Sequence, residues 1–470
     1  MQNSDEFIPH TNFDFNPQLQ LFLTGRQLLL NEIPFPKEEI QSHIVHGLVH
    51  SQQGITQVNK KSICNRCGNH DPSLIAIFPC ARCCKPCQYC RKCIMMGRVS
   101  SCSSLLHWSG PPAEITSIDK PLDWVGSLSV GQTVASNRVV EAIKVNQDCL
   151  VWAVCGAGKT EVLFAGIEKA LQLGKRVCLA TPRTDVVLEL TPRLRKVFPN
   201  IAVASLYGGS EDRHVFAPLT IATTHQLLRF YQAFDMMIVD EVDAFPYTAD
   251  ESLQQAVQKA RKQPSSLIFL TATPSEKWQR ECRLGKRNYV TIPARFHRHS
   301  LPIPKFVWCG NWKKKLLKNS LPPNVLQWTI ARLQQRKQAL LFFPNIRLME
   351  KVLPIFQALD SRIEAVHAED SLRKEKVQAM RDKKTPILLT TTILERGVTF
   401  PNIDVAVVGA EESIFTESAL VQIAGRVGRS AQYPDGDITF FHYGKTEAMI
   451  KAHKQIKQMN KEALQKGLLD

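Results

Sequence analysis

The sequence predicts an α/β chain: two successive units built on buried parallel strands flanked by helices, behind a cysteine-rich N-terminal region. Three observations predict it. Apolar runs of about five residues, rich in Val, Ile, Leu and Phe, alternate with helical stretches, as strands buried on both faces do. The pattern starts a second time beyond a linker near Arg295–Pro304. Of the 14 cysteines, eight fall between Cys64 and Cys93.

A length of 470 residues suits two or three domains. Composition divides it into 1–115, which holds the cysteines and closes on Gly110-Pro111-Pro112, then 116–300 and 301–470. Strands are expected at Cys149–Val154, Arg176–Ala180, Ala217–Ala222, Met236–Val239 and Leu267–Leu270. A second set follows at Ala339–Phe343, Ile363–Val366, Ile387–Leu389, Val405–Val408 and Ile438–Phe441. With 44% hydrophobic and 22% charged residues the composition is that of a globular chain. No apolar run approaches the roughly 18 residues of a membrane helix, and the polar, acidic start Met1–Glu6 is unlike a signal peptide. A net charge of +16 points to a polyanionic partner, nucleic acid or an anionic membrane surface.

In the first α/β unit, Ala153-Val154-Cys155-Gly156-Ala157-Gly158-Lys159-Thr160 continues a strand into a GxGKT turn. Glycines let backbone amides approach phosphate, and the helix that follows offers its positive end. Lys159 would neutralise β/γ-phosphate oxygens and Thr160 would ligate Mg²⁺, so ATP is the expected ligand. Farther on, the apolar run Met236–Val239 ends in Asp240-Glu241. There the first carboxylate could reach Mg²⁺ and the second could orient an attacking water.

Together these residues resemble superfamily 2 helicases and translocases, which implies two tandem RecA-like domains. In that family a glutamine such as Gln132 reads adenine. Thr181-Pro182-Arg183 is similar to motif Ia and Thr223-Thr224-His225-Gln226-Leu227 to motif Ib, which implies that Pro182, Arg183, Thr224, His225 and Gln226 contact DNA. Leu270–Pro274 matches motif III, Phe342–Asn345 resembles motif IV, and Thr390–Val398 resembles motif V, which implies that Thr391 contacts DNA. Gln422-Ile423-Ala424-Gly425-Arg426-Val427-Gly428-Arg429 has the motif VI form. Its arginines, at i and i+3, are expected on one helical face, where they could act as arginine fingers with Gln422 beside them. The expected catalytic set is Lys159, Asp240, Glu241, Gln422, Arg426 and Arg429. Because it is drawn from both lobes, turnover should require a cleft to close and reopen.

Charge is concentrated between Lys259 and Lys318, where 15 Lys/Arg face two acidic residues. Trp278, Tyr289, Phe296, Trp308 and Trp312 are interleaved, a composition that suits single-stranded nucleic acid. Met449, Ala452, Ile456, Met459 and Ala463 form an amphipathic stripe expected to pack on the second lobe.

Zinc takes four thiolates in a tetrahedron, and each CxxC turn supplies two. Spacing alone favours Cys64/Cys67 with Cys80/Cys83; the alternative joins Cys64/Cys67 to Cys90/Cys93 and leaves Cys80, Cys83, Cys84 and Cys87 for a second site. Cys102 is expected buried and free. Tyr89–Ser100, Thr24–Leu29 and Trp124–Gln132 resemble the ComFA family, the competence DNA-import ATPases of Firmicutes. That resemblance implies Zn²⁺ on Cys64, Cys67, Cys90 and Cys93, with one or two ions in all. It further implies an ATP-driven translocase on single-stranded DNA, peripheral on the cytoplasmic face of the cell membrane. Its implied partners are a ComFC-like competence protein and the ComEC channel. The alternatives are a PriA-like duplex-unwinding helicase and a non-catalytic DNA-binding adaptor; the intact Lys159, Asp240, Glu241 and Arg429 argue against the latter.

Overall fold

The computed structural model describes residues 13–395 and 400–470. The polar start Met1–Glu6 and Arg396–Val398 of the motif V segment lie outside the described residues. Contacts group the chain into two units. The first holds the described residues up to Gly126 with Ser136–Leu150 and Leu163–Leu270; the second holds Ser127–Ala135, Val151–Val162 and Thr271–Asp470.

A seven-stranded sheet has the order Val203–Leu206, Leu219–Thr223, Val177–Thr181, Phe234–Val239, Arg261–Thr271, Cys149–Ala153, Tyr289–Ile292. Its first five strands pair in parallel. A six-stranded sheet, parallel throughout, runs Lys305–Trp308, Ile438–His442, Ile403–Val408, Gln338–Phe342, Ile387–Thr390, Glu364–Val366. All ten expected strands are present. The three that sequence reading missed stand at sheet edges. Tyr289–Ile292 and Lys305–Trp308 are only partly buried there and carry Thr291 and Lys305, and Val203–Leu206 is short and includes Ala204 and Ser205, so none stands out as a run of five apolar residues. In the second unit the core gathers Trp312, Leu341, Phe343, Phe356 and Phe441. The tail stripe Met449, Ala452, Ile456, Met459 and Ala463 is buried along the helix Glu447–Gln465, which packs on the helix Glu417–Ala424.

The N-terminal region has its own three-stranded antiparallel sheet, Gln27–Leu29, Ser104–Trp108, Val49–Gln53, over a core that includes Leu19, Phe22, Ile40 and Trp108. Two hairpins follow, Ile55–Val58 with Lys61–Cys64 and Ile75–Cys80 with Lys85–Cys90. Within the first unit this region is joined to the α/β part by charged groups, around the buried Arg66. The Arg66 guanidinium, fully buried, donates to Glu32 and to Met96 O; Glu32 Oε1 also accepts from Arg229 Nε at 3.1 Å. Lys259 Nζ donates to Arg66 O at 2.6 Å and to Gln27 Oε1 at 3.0 Å. Lys92 pairs with Asp250 at 2.9 Å.

Removing one member of a buried pair leaves an uncompensated charge, which costs several kcal/mol. Glu32→Ala should therefore destabilise the first unit by about 3 kcal/mol. Urea unfolding followed by tryptophan fluorescence and circular dichroism measures this; a change within the ordinary surface range of about 0.5 kcal/mol would contradict it.

Candidate nucleotide and metal sites

Strand Cys149–Ala153 is buried along its whole length and delivers Val154–Gly158 to the helix that opens at Lys159. Gly156 and Gly158 hold φ of +81° and +69°, a left-handed backbone that other residues adopt at a cost, so the loop is pre-shaped to turn its amides toward an anion. The buried Gln132 braces it: its Nε2 donates to Ala157 O at 2.9 Å and its Oε1 accepts from Ser129 N at 2.8 Å. Both ends of the amide are thus engaged, and hydrogen bonding to a base would have to replace these bonds.

In the same unit the loop meets the motif VI segment. The Cys155 thiol donates to Gln422 Oε1 at 3.1 Å. Gly425 comes so close that a Cβ there would stand 2.4 Å from Cys155 Cβ. The Arg429 side chain lies beside Gly156. One expectation is corrected. The helix Glu417–Ala424 ends at Gly425 and Gly428 is left-handed at φ +69°, so Arg426 and Arg429 follow the helix in a turn and do not share one helical face. Arg426 is buried with Nε on Glu395 O at 3.0 Å; Arg429, half-buried, donates from Nε to Gly425 O at 2.9 Å.

Sequence reading missed the residue that ties loop and turn together. The Arg295 guanidinium, 1% exposed, donates to Cys155 O at 3.1 Å, Val427 O at 2.7 Å and Gly425 O at 3.1 Å, and also to Gly428 O. Burial, with Arg429 nearby, pulls it down to about 10. Counted as part of a basic block, Arg295 reads as a nucleic-acid contact; the available signal is its place directly after the uncharged stretch Val290–Ala294.

In the first unit, buried strand Phe234–Val239 presents Asp240 and Glu241, both half-buried. Asp240 N donates to Ala180 O of the neighbouring strand, and Asp240 Oδ1 accepts from Glu241 N, each at 2.8 Å. Glu241 holds φ +55°, an unusual conformation for a non-glycine residue and one found at functional sites.

The expected DNA contacts divide by exposure. Pro182, Thr224 and Gln226 are buried, with Gln226 Oε1 accepting from Arg229, so their side chains face the interior of the first unit. Arg183 forms a bidentate pair with Asp185, 3.0 and 2.6 Å. His225 is exposed, and Thr391 is half-buried. The basic block is also corrected. Besides Arg295, Trp312 is buried with Nε1 on Glu411, Lys259 is half-buried and donates to Arg66 O and Gln27, and Lys262, Lys305 and Lys313 pair with Asp235, Asp437 and Glu412. Lys277, Arg280, Arg283 and Lys286 remain exposed around the helix Glu276–Arg283.

Cys64, Cys67, Cys90 and Cys93 come together, all buried, with their sulfurs within 4.8 Å of one another. Cys64–Cys93 and Cys67–Cys90 are 3.7 and 3.6 Å apart, close to the roughly 3.8 Å edge of a tetrahedron of sulfurs around zinc. Hydrogen bonds among the packed sulfurs, Cys64 with Cys67 and then with Cys90 and Cys93, push Cys64 and Cys90 below the ordinary thiol range and Cys67 and Cys93 above it. Lys259 adds positive charge beside this set; burial first, and Arg66 second, lower it to about 8. Four soft, buried donors with cationic support fit a divalent ion. The pairing favoured by spacing, Cys64/Cys67 with Cys80/Cys83, does not form. Cys102, expected free, lies 3.5 Å from Cys80, in a group with Cys83 and Cys87, whereas Cys84 is exposed and outside both groups.

Comparison with known proteins follows this geometry. Residues 10–107 match the competence protein ComFA N-terminal domain, 133–281 the DEAD/DEAH box helicase family and 318–431 the helicase conserved C-terminal domain. Competence protein ComFA of Bacillus subtilis (strain 168) is 50% identical over 96% of this chain and 97% of its own. That of Streptococcus pneumoniae R6 is 43% identical over 80% and 86%. The solved structure of S. cerevisiae Dbp5 bound to RNA and ADP BeF3 superposes with a TM-score of 0.50 at 13% identity, over 73% of this chain and 98% of that one, a likeness of fold alone. The two parallel sheets are thus those of two RecA-like helicase domains, and with half its residues shared along nearly its whole length with the Bacillus subtilis protein, the chain belongs to the ComFA family.

Proposed function

We propose that this competence-related, helicase-like ATPase moves along single-stranded DNA and powers the uptake of transforming DNA across the cell membrane. The observation that carries the reading is the meeting of the phosphate loop with the arginine turn through Cys155, Gln422 and Arg295. A cationic turn held against a phosphate-binding loop is what phosphoryl transfer needs, since its catalysis is mostly positioning and charge stabilisation. Lys159 and the loop amides would bind the phosphates, and Arg426 and Arg429 would stabilise charge on the transferring group. Thr160 and Asp240 offer hard oxygen donors suited to Mg²⁺, which when bound shields phosphate charge, and Glu241 would orient the attacking water. Turnover that parts and rejoins loop and turn must break and remake the bonds of Arg295, which couples chemistry to movement.

His225, Thr391 and the exposed cations around the helix Glu276–Arg283 are the favoured strand contacts, with backbone groups of the Pro182–Arg183 and Thr224–Gln226 segments beside them. Among the described residues no helix is long and apolar enough to cross a membrane, so action at the membrane would rest on partners, a ComFC-like protein and the ComEC channel. Zn²⁺ on Cys64, Cys67, Cys90 and Cys93 would hold the N-terminal hairpins in place.

Phosphate release with single-stranded, duplex and no DNA tests the motor. Single strands should stimulate it, and Lys159→Ala should lower the stimulated rate by about 10²–10³-fold. Equal rates without DNA would defeat the reading, and unwinding of a duplex substrate would favour the PriA-like alternative. Arg295→Lys, which cannot span the same carbonyls, should lower kcat roughly 10-fold or more while nucleotide affinity changes little. A loss confined to KM would instead make Arg295 a binding group. Cys90→Ser should release one zinc per chain and lower the melting temperature by roughly 5–10 °C; unchanged zinc content would remove these four sulfurs from the metal.

A further inference from the structure

The geometry points to a second tetrathiolate zinc site in this chain, formed by Cys80, Cys83, Cys87 and Cys102. The four sulfurs lie within 4.8 Å of one another, with Cys80–Cys102 at 3.5 Å and Cys83–Cys87 at 3.2 Å, and all four are free thiols.

Strand parity explains why the two groups do not mix. Cys87 and Cys90 lie three residues apart on strand Lys85–Cys90, so their side chains leave opposite faces. Cys90 joins the first group and Cys87 the second. Cys80 closes the opposing strand, where it stands across from Lys85. The turn between them has the form of a metal knuckle: Cys84 N donates to Cys80 O at 2.9 Å, and Cys84 turns left-handed at φ +53°. Cys102 enters from the segment beyond Ser100, which bridges to Tyr89. The exposed Cys84 is excluded although it lies between two members of the group.

The hairpin has little else to hold it. Ile77 is 72% exposed and only Cys80, Cys87 and Cys90 of the two strands are buried, so their sulfurs stand where an apolar core would be. Binding would release the thiol protons to solvent and leave a dianionic centre, next to Arg82 and Lys85 at the hairpin tip. Four soft sulfur donors favour zinc over the harder cations.

Native mass spectrometry and metal analysis of the full chain, purified with reductant and zinc, test this independently of any ATPase activity. Two zinc ions per chain are expected. Cys87→Ser with Cys102→Ser should leave one, and Cys84→Ser should leave two. With cobalt as the probe, thiolate-to-metal absorption per chain should halve in the double variant. One zinc in the wild type, unchanged in the double variant, overturns the proposal. So does iron with acid-labile sulfide, or mapping of Cys80–Cys102 and Cys83–Cys87 as disulfides in the native chain. The wild-type zinc count stands even if the double variant fails to fold.

Discussion

Most of the residues expected to bind nucleotide or DNA stand just past the carboxyl end of a buried strand. Val154–Thr160 follow Cys149–Ala153, Pro182 and Arg183 follow Val177–Thr181, Thr224 follows Leu219–Thr223, Asp240 and Glu241 follow Phe234–Val239, and Thr391 follows Ile387–Thr390. A parallel strand covered on both faces cannot shift along its neighbours without breaking its ladder and exposing apolar side chains. Its last residue is therefore a fixed point, and the loop beyond it is where a polar group can be both held and reached. Arg295 extends the same logic to the arginine turn. A buried guanidinium that lost its carbonyls would be left unsatisfied, so it keeps the turn and the phosphate loop in register.

This constraint also decides what could be read from the residues. Strands covered on both faces declare themselves as apolar runs, so Cys149–Ala153 and Phe234–Val239 were legible to within two residues. Edge strands have one open side, and Lys305–Trp308 hid within a basic segment for that reason. The positions of the Gly156–Thr160 turn and of Asp240-Glu241, each directly after a buried strand, were legible because the apolar runs before them mark those strands. Arg295 and Trp312 were misread because counting charges and rings says nothing of burial. The spacing of Arg426 and Arg429 implied a helix, but Gly425 and Gly428 end it.

The cysteines show a related limit. Spacing ranks pairs by their separation along the chain and so favoured Cys64/Cys67 with Cys80/Cys83. The hairpin Ile75–Cys80 with Lys85–Cys90 turns the chain back on itself and brings Cys90 and Cys93 to Cys64 and Cys67. Three-residue steps along a strand then separate neighbouring thiols onto two faces, a sorting visible only once the strand is known.

The cations Lys259 and Arg229 have a consequence for dissecting this protein. Each crosses a junction: Lys259, on the helix Glu251–Ala260, donates to Arg66 O and Gln27, and Arg229 donates to Glu32, which also holds the buried Arg66. A truncation that discards the first hundred residues would take Gln27 and Arg66 O from Lys259 and Glu32 from Arg229. The cysteine-bearing segment is built into the first unit rather than appended to it, and an amputated fragment would be a poor stand-in for the intact chain.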